Sequence, residues 1–224
     1  LIALQQGKHP TRKIGFAHAV HNEGHLYLRT PPPDRPSPPK PDFIATTGPA
    51  ALKWFITQCK VSREKLIMTG SPRFKKTIEL APVSETKQFR VLVIISQVHE
   101  VELLSNYAEQ EPDLFQGCEI MLRKYPYDYP EEQDRAIARL RQLNLHIHVD
   151  ARPLKDQLAW CETVIFCSTS AGIEAMLSGR IAIYANLNDV FLLNPLDGRG
   201  DLSKVLCAST AAELKACLRR LQTL

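Results

Sequence analysis

The sequence predicts an α/β protein in two parts, with a doubly wound parallel sheet over residues 89–224. Three observations predict it. From Phe89 onward, apolar runs of strand length alternate with segments of helical spacing. One of those runs, ending at Cys167, passes through small residues into a short helix. Residues 1–81 are irregular and broken by proline, so they read as a separate, partial α/β domain.

In the first part, Ile14-Gly15-Phe16-Ala17 reads as a short strand. The stretch from Pro31 to Pro41 carries too many prolines for a helix or a central strand, so it reads as an extended loop. A strand over Phe43–Thr47 follows, then a Gly48-Pro49 turn, a helix from Ala50 to Gln58, and a strand over Lys65–Gly70 stopped by Gly70-Ser71-Pro72. Residues 82–87 look like a linker. In the second part, strands are expected at Val91–Ile95, Glu119–Arg123, His146–Val149, Thr163–Cys167, Arg180–Tyr184 and Lys204–Cys207. Between them lie helices at Val98–Glu109, Pro130–Leu143, Pro153–Trp160 and Ala171–Leu177, and one from Ala211 to Leu221 closes the chain. Pro130 suits a first helical turn, and Gly179 suits a helix end. Strands apolar on both faces, alternating with helices, mean a parallel sheet covered on each side. Such a sheet binds ligands beyond the carboxyl ends of its strands, where strand order reverses.

Composition narrows the classes. Hydrophobic residues make up 44% of 224, enough for a sizeable core. The formal net charge of +4 is too small and dispersed to argue for nucleic acid; it suits an anionic ligand or an anionic membrane surface. None of the six cysteines forms a C-x-x-C pair, and several sit in apolar runs, so free thiols in a reducing cytosol are expected and a zinc site is not. No apolar run reaches the ~20 residues that span a bilayer. The chain opens on Leu1-Ile2-Ala3-Leu4 rather than Met, and the expectation is that residues of a longer protein precede it.

The segment Val164 to Gly179 is the most informative. Small residues let a ligand approach the backbone, and a helix N-terminus presents unpaired N–H groups with about half a positive charge. Ser168, Thr169 and Ser170 add hydroxyls, so the turn suits a phosphate or diphosphate; one of the serines could instead cap the helix. Glu174, in the first helical turn, gains from the helix dipole or accepts from ribose hydroxyls.

The run S-T-S-A-G-I-E-A-M-L-S-G-R-I-A-I resembles the (S/T)-x-x-G-x-E-A-x-x-x-G-x-P-x-I block of GT-B glycosyltransferases. The resemblance implies that Ser168, Thr169 and Ser170 face the donor phosphates, that Glu174 binds the ribose, and that Gly172 belongs to the same donor-binding set. Earlier blocks, Ile14 to Ala19, Pro41 to Ala51 and Lys65 to Phe74, look like those of bacterial surface-carbohydrate proteins of the capsule and teichoic-acid type. Together they imply a GT-B-like chain: a partial, acceptor-side domain at 1–81 and a Rossmann-like nucleotide-sugar domain at 89–224. Two departures stand out. Arg180-Ile181 replaces a small residue and Pro. Arg123-Lys124-Tyr125-Pro126 stands where related sialyl- and Kdo-transferases carry His-Pro, which argues against a CMP-sugar donor. Arg123 and Lys124 could offset diphosphate charge and Tyr125 could stack on a base; the alternative is a basic surface loop.

Among histidines, His18, His21 and His25 cluster with Glu23. Their spacing invites a metal, but Gly24 and the lack of a helical face disfavour it. A general base, a phosphate-facing histidine or a solvated loop are the other readings, and His18 with Glu23 are the catalytic candidates. His99, in the first strand-to-helix turn of the second part, is a candidate for lining the donor site. The implied activity is transfer of a sugar from a UDP, CDP, CMP or GDP donor to a surface polysaccharide or a lipid-linked acceptor, with no metal or other cofactor. The expected setting is cytoplasmic, with peripheral association at the inner face of the membrane. Rival readings are a glycerol-phosphate transferase or nucleotide-sugar epimerase on the same fold, or a non-catalytic nucleotide-binding scaffold.

Overall fold

The computed structural model describes residues 12–17, 40–72, 88–124, 130–143, 145–186, 195–196 and 205–223. The chain divides into two compact units, the first holding the described residues up to 72 and the second those from 88 onward.

The first unit is a three-stranded parallel sheet in the order β1 (Ile14–Ala17), β2 (Phe43–Thr46), β3 (Leu66–Met68). Helix α1 (Pro49–Thr57) joins β2 to β3. Proline stands at its start, where the missing N–H costs nothing. Phe55 and Cys59, from α1 and the residues after it, pack with Leu66 as a small core. At Gly15 a Cβ would stand 2.9 Å from the ring of Pro41, so the strand and the following chain approach closely there.

The second unit is a six-stranded sheet, parallel throughout, in the order β6-β5-β4-β7-β8-β9. The strands are β4 (Phe89–Ile94), β5 (Cys118–Arg123), β6 (Ile147–Val149), β7 (Thr163–Phe166), β8 (Ile181–Ala185) and β9 (Val205–Ala208). The helices are α2 (Val98–Gln110), α3 (Pro130–Gln142), α4 (Leu154–Trp160), α5 (Ala171–Leu177) and α6 (Ala211–Gln222). Each expected strand and helix is present, most displaced by a residue at one end.

The alternation of side chains along a strand explains the layering. Val91, Val93 and Ile95 point to one face, with Leu122, Ile165 and Ile183, and are covered by Val101 and Leu104 of α2, Ile137 and Leu140 of α3, and Leu214 and Leu218 of α6. Leu92, Ile94, Val164, Phe166 and Ala182 take the other face, where α4 and α5 pack. Burying each such large side chain stabilises the fold by about 1.5–3 kcal/mol. The chain winds outward from β4 to β5 and β6, returns through α4 to β7 beside β4, and winds outward again through β8 and β9. Strand order therefore reverses between β4 and β7, where Ile94 pairs with Phe166.

Candidate functional site

At this switch point the turns after β4 and β7 lie side by side. The strands end in apolar residues and hand over to Ser96-Gln97 and to Ser168-Thr169-Ser170. Both turns are half-buried.

A carboxylate joins them. Glu100, in the first turn of α2, is only 3% exposed. Its Oε2 accepts the Ser96 N–H at 2.7 Å. Its Oε1 accepts the hydroxyls of Ser96 at 2.6 Å and Ser168 at 2.5 Å, and the Ser168 N–H at 3.3 Å. The two hydroxyl oxygens stand 2.7 Å apart. Ser168 is thus both candidate phosphate ligand and partner of Glu100. Nearby, burial drives the Cys167 thiol well above its ordinary range, and the Glu100 charge adds to the shift.

Beyond Ser168 the turn is half-buried. Thr169 Oγ1 accepts the Ala171 N–H at 3.2 Å, while Ser170 occupies the N-cap position of α5 without capping through its side chain. The Thr169 amide makes no hydrogen bond among the described residues. Gly172 is buried with its missing side chain aimed at Phe166: a Cβ there would lie 2.4 Å from the ring. Glycine lets α5 settle onto the end of β7 and bring its first turn to the switch point. Glu174 is half-buried in that first turn. The helix ends at Gly179, with φ +80°, and the Arg180 N–H returns to the Ala175 carbonyl at 3.0 Å.

Arg123 and Lys124 emerge at the carboxyl end of β5, next to β4. Both cations are already engaged. Arg123 Nη1 donates to the Arg152 carbonyl at 2.8 Å and to the fully buried Gln157 Oε1 at 2.6 Å. Lys124 pairs with Asp134 of α3. Asp150 accepts the Arg152 N–H at 2.7 Å and Nε at 2.5 Å, which hold its carboxyl below the usual range. Arg180, the departure from the GT-B block, ties two elements together locally, because its Nε donates to the Leu158 carbonyl at 2.8 Å, near the end of α4. His99 stands in the first turn of α2, half-buried, one residue before Glu100. Tyr125, His18, Glu23, His21 and His25 lie outside the described residues, as do Arg73 and most of the 194–201 loop.

His146 and His148 line a cavity of about 470 Å³ with Cys118 and Glu119. It lies at the amino ends of β5 and β6, the opposite edge from the switch point. Burial pushes the Cys118 thiol there up to about 11. Among the described residues no three His, Cys, Asp or Glu side chains converge as metal ligands. All the cysteines are free, with Cys59, Cys161 and Cys167 buried and Cys207 exposed. No helix among the described residues is long and apolar enough to cross a membrane.

Sequence reasoning passed over Glu100. The only signal was an acid three residues into the helix after Ser96-Gln97, which reads as ordinary helix capping.

No protein-family model matches the sequence, and no curated protein matches it. Solved structures do match the fold. S. aureus TarM, in complex with fondaparinux, α-GlcNAc-glycerol and UDP, superposes with a TM-score of 0.63 at 14% identity, over 99% of this chain and 46% of that one. A glycosyltransferase from Rickettsia africae gives 0.56 at 9% identity, over 94% of this chain and 60% of that one. The lipopolysaccharide outer core galactosyltransferase WaaB gives 0.52 at 12% identity, over 82% and 53%. The chain spans about half the length of the structures it matches. At these identities the likeness is one of fold, and that fold is GT-B-like: a doubly wound parallel sheet accompanied by a smaller α/β unit.

Proposed function

We propose that this chain carries the donor-binding part of a glycosyltransferase that moves a sugar from a nucleotide to a surface polysaccharide or glycolipid. The carrying observation is the paired turns at the β4–β7 switch point, where an all-parallel sheet places its ligand. In this reading the turn at Thr169 and Ser170 supplies amides and hydroxyls to a diphosphate. Glu174, one turn on, supplies an acceptor for ribose hydroxyls. Preorganised donors aimed at the departing phosphate stabilise the charge that develops as the glycosidic bond to the donor breaks. Arg123 and Lys124 add positive potential beside β4, though their existing partners reduce it. UDP is the first nucleotide to test, because the S. aureus TarM complex contains it. In this reading His18 or Glu23 serves as the base for the acceptor hydroxyl, and the first unit contributes the acceptor side.

Titration calorimetry with UDP, CDP, CMP and GDP tests the reading. Binding of at least one of them, weakened about tenfold by Glu174→Ala, is the expected outcome, since losing hydrogen bonds to ribose is worth about 1.4 kcal/mol. A folded chain that binds none of the four nucleotides contradicts it.

A further inference from the structure

Glu100 does more than begin a helix. Its bond to the Ser96 N–H has a counterpart at α6, where the Ser209 N–H donates to Glu213 Oε2, also at 2.7 Å. Glu213 holds the same position in α6 that Glu100 holds in α2, three residues past the N-cap. At α6 the motif is capping alone: Thr210 Oγ1 accepts the Glu213 N–H at 3.1 Å and Glu213 is exposed. Capping therefore accounts for one bond of Glu100. It leaves unexplained why this carboxylate is buried, a costly placement unless it is hydrogen-bonded. It also leaves unexplained why the other oxygen reaches Ser168, 68 residues away in the chain.

A proton count shows what the arrangement can do. Three short oxygen–oxygen contacts link Ser96, Ser168 and Glu100, and the two hydroxyls bring two protons to them. Two protons serve two of the three contacts, so the Ser168 hydroxyl proton is committed to Glu100 at 2.5 Å, and the Ser96 and Ser168 amides with the Ser96 hydroxyl complete the carboxylate's partners.

We propose that Glu100 is a positioning residue that clasps the β7–α5 turn to the β4–α2 turn, holding Ser168 and the amides after it at the spacing a nucleotide's phosphate needs. This rests on the donor-binding reading above. The test compares UDP affinity and thermal midpoint for the wild-type chain, Glu100→Ala, Glu100→Gln and Leu114→Ala. Leu114 is buried at the amino-terminal edge of the sheet, away from the switch point, so its variant controls for lost stability. The expected result is a loss of UDP affinity of about tenfold or more in Glu100→Ala, with Leu114→Ala unchanged at a comparable fall in midpoint. If Glu100→Ala does not fold, Glu100→Gln decides, because it keeps the shape but replaces one acceptor oxygen by NH2, which in either orientation faces an amide N–H, that of Ser96 or that of Ser168. A loss of about threefold or more there supports the clasp. Wild-type affinity in a folded Glu100 variant overturns the clasp and leaves the functional reading standing. A wild-type chain that binds no nucleotide overturns that reading, and the clasp's role with it.

Discussion

Phe166 decides what can stand at position 172. Its ring, fully buried at the end of β7, leaves no room for a methyl group on the first turn of α5. Alanine there must push the helix outward or tilt the ring, and such overpacking costs about 1–3 kcal/mol. Gly172→Ala is therefore expected to lower the thermal midpoint and, by shifting α5, to weaken nucleotide binding as well. A variant with the wild-type midpoint would show that the helix is free to move. The same residue illustrates how a motif is read from sequence. Its small size was legible as room for a ligand, whereas the structure shows the room filled by the protein's own ring. Ser168 is similar: its hydroxyl was visible as a phosphate donor, but its tie to Glu100 was not.

Among the elements, α6 shows what local sequence determines well. At its start the Thr210 hydroxyl accepts the Glu213 N–H while the Glu213 carboxylate accepts the Ser209 N–H, and Leu214, Leu218 and Leu221 fall on the buried stripe. Thr210→Ala should cost about 1 kcal/mol, measured by chemical denaturation, without changing ligand affinity. A loss of affinity on removing this cap would mean that α6 takes part in the site. Helix α2 shares only the carboxylate half of this arrangement, since Gln97 at its N-cap makes no side-chain cap bond, and there local reading falls short. Nothing near Glu100 in sequence indicates that Ser168 will arrive beside it. That neighbour is a consequence of strand order, which places β7 against β4 after an excursion through β5 and β6. Arg123 follows the same rule. Its charge was evident, but Gln157, which takes up its guanidinium from α4, comes from 34 residues further on.

For the whole molecule, the alternation of apolar strands and helices was legible because a parallel sheet buried on both faces leaves runs such as Val91-Leu92-Val93-Ile94 and Val164-Ile165-Phe166. Strand order was not legible from periodicity, since every strand of such a sheet looks alike. The expectation of ligand binding at a reversal became a location only when β4 and β7 were found adjacent. The central claim is that this location receives a nucleotide. A crystal structure of the chain soaked with UDP tests it most directly. The expected result is diphosphate density against the Thr169 and Ser170 amides, with the ribose beside Glu174. Nucleotide density confined to the cavity lined by His146 and His148, at the opposite edge of the sheet, would contradict it.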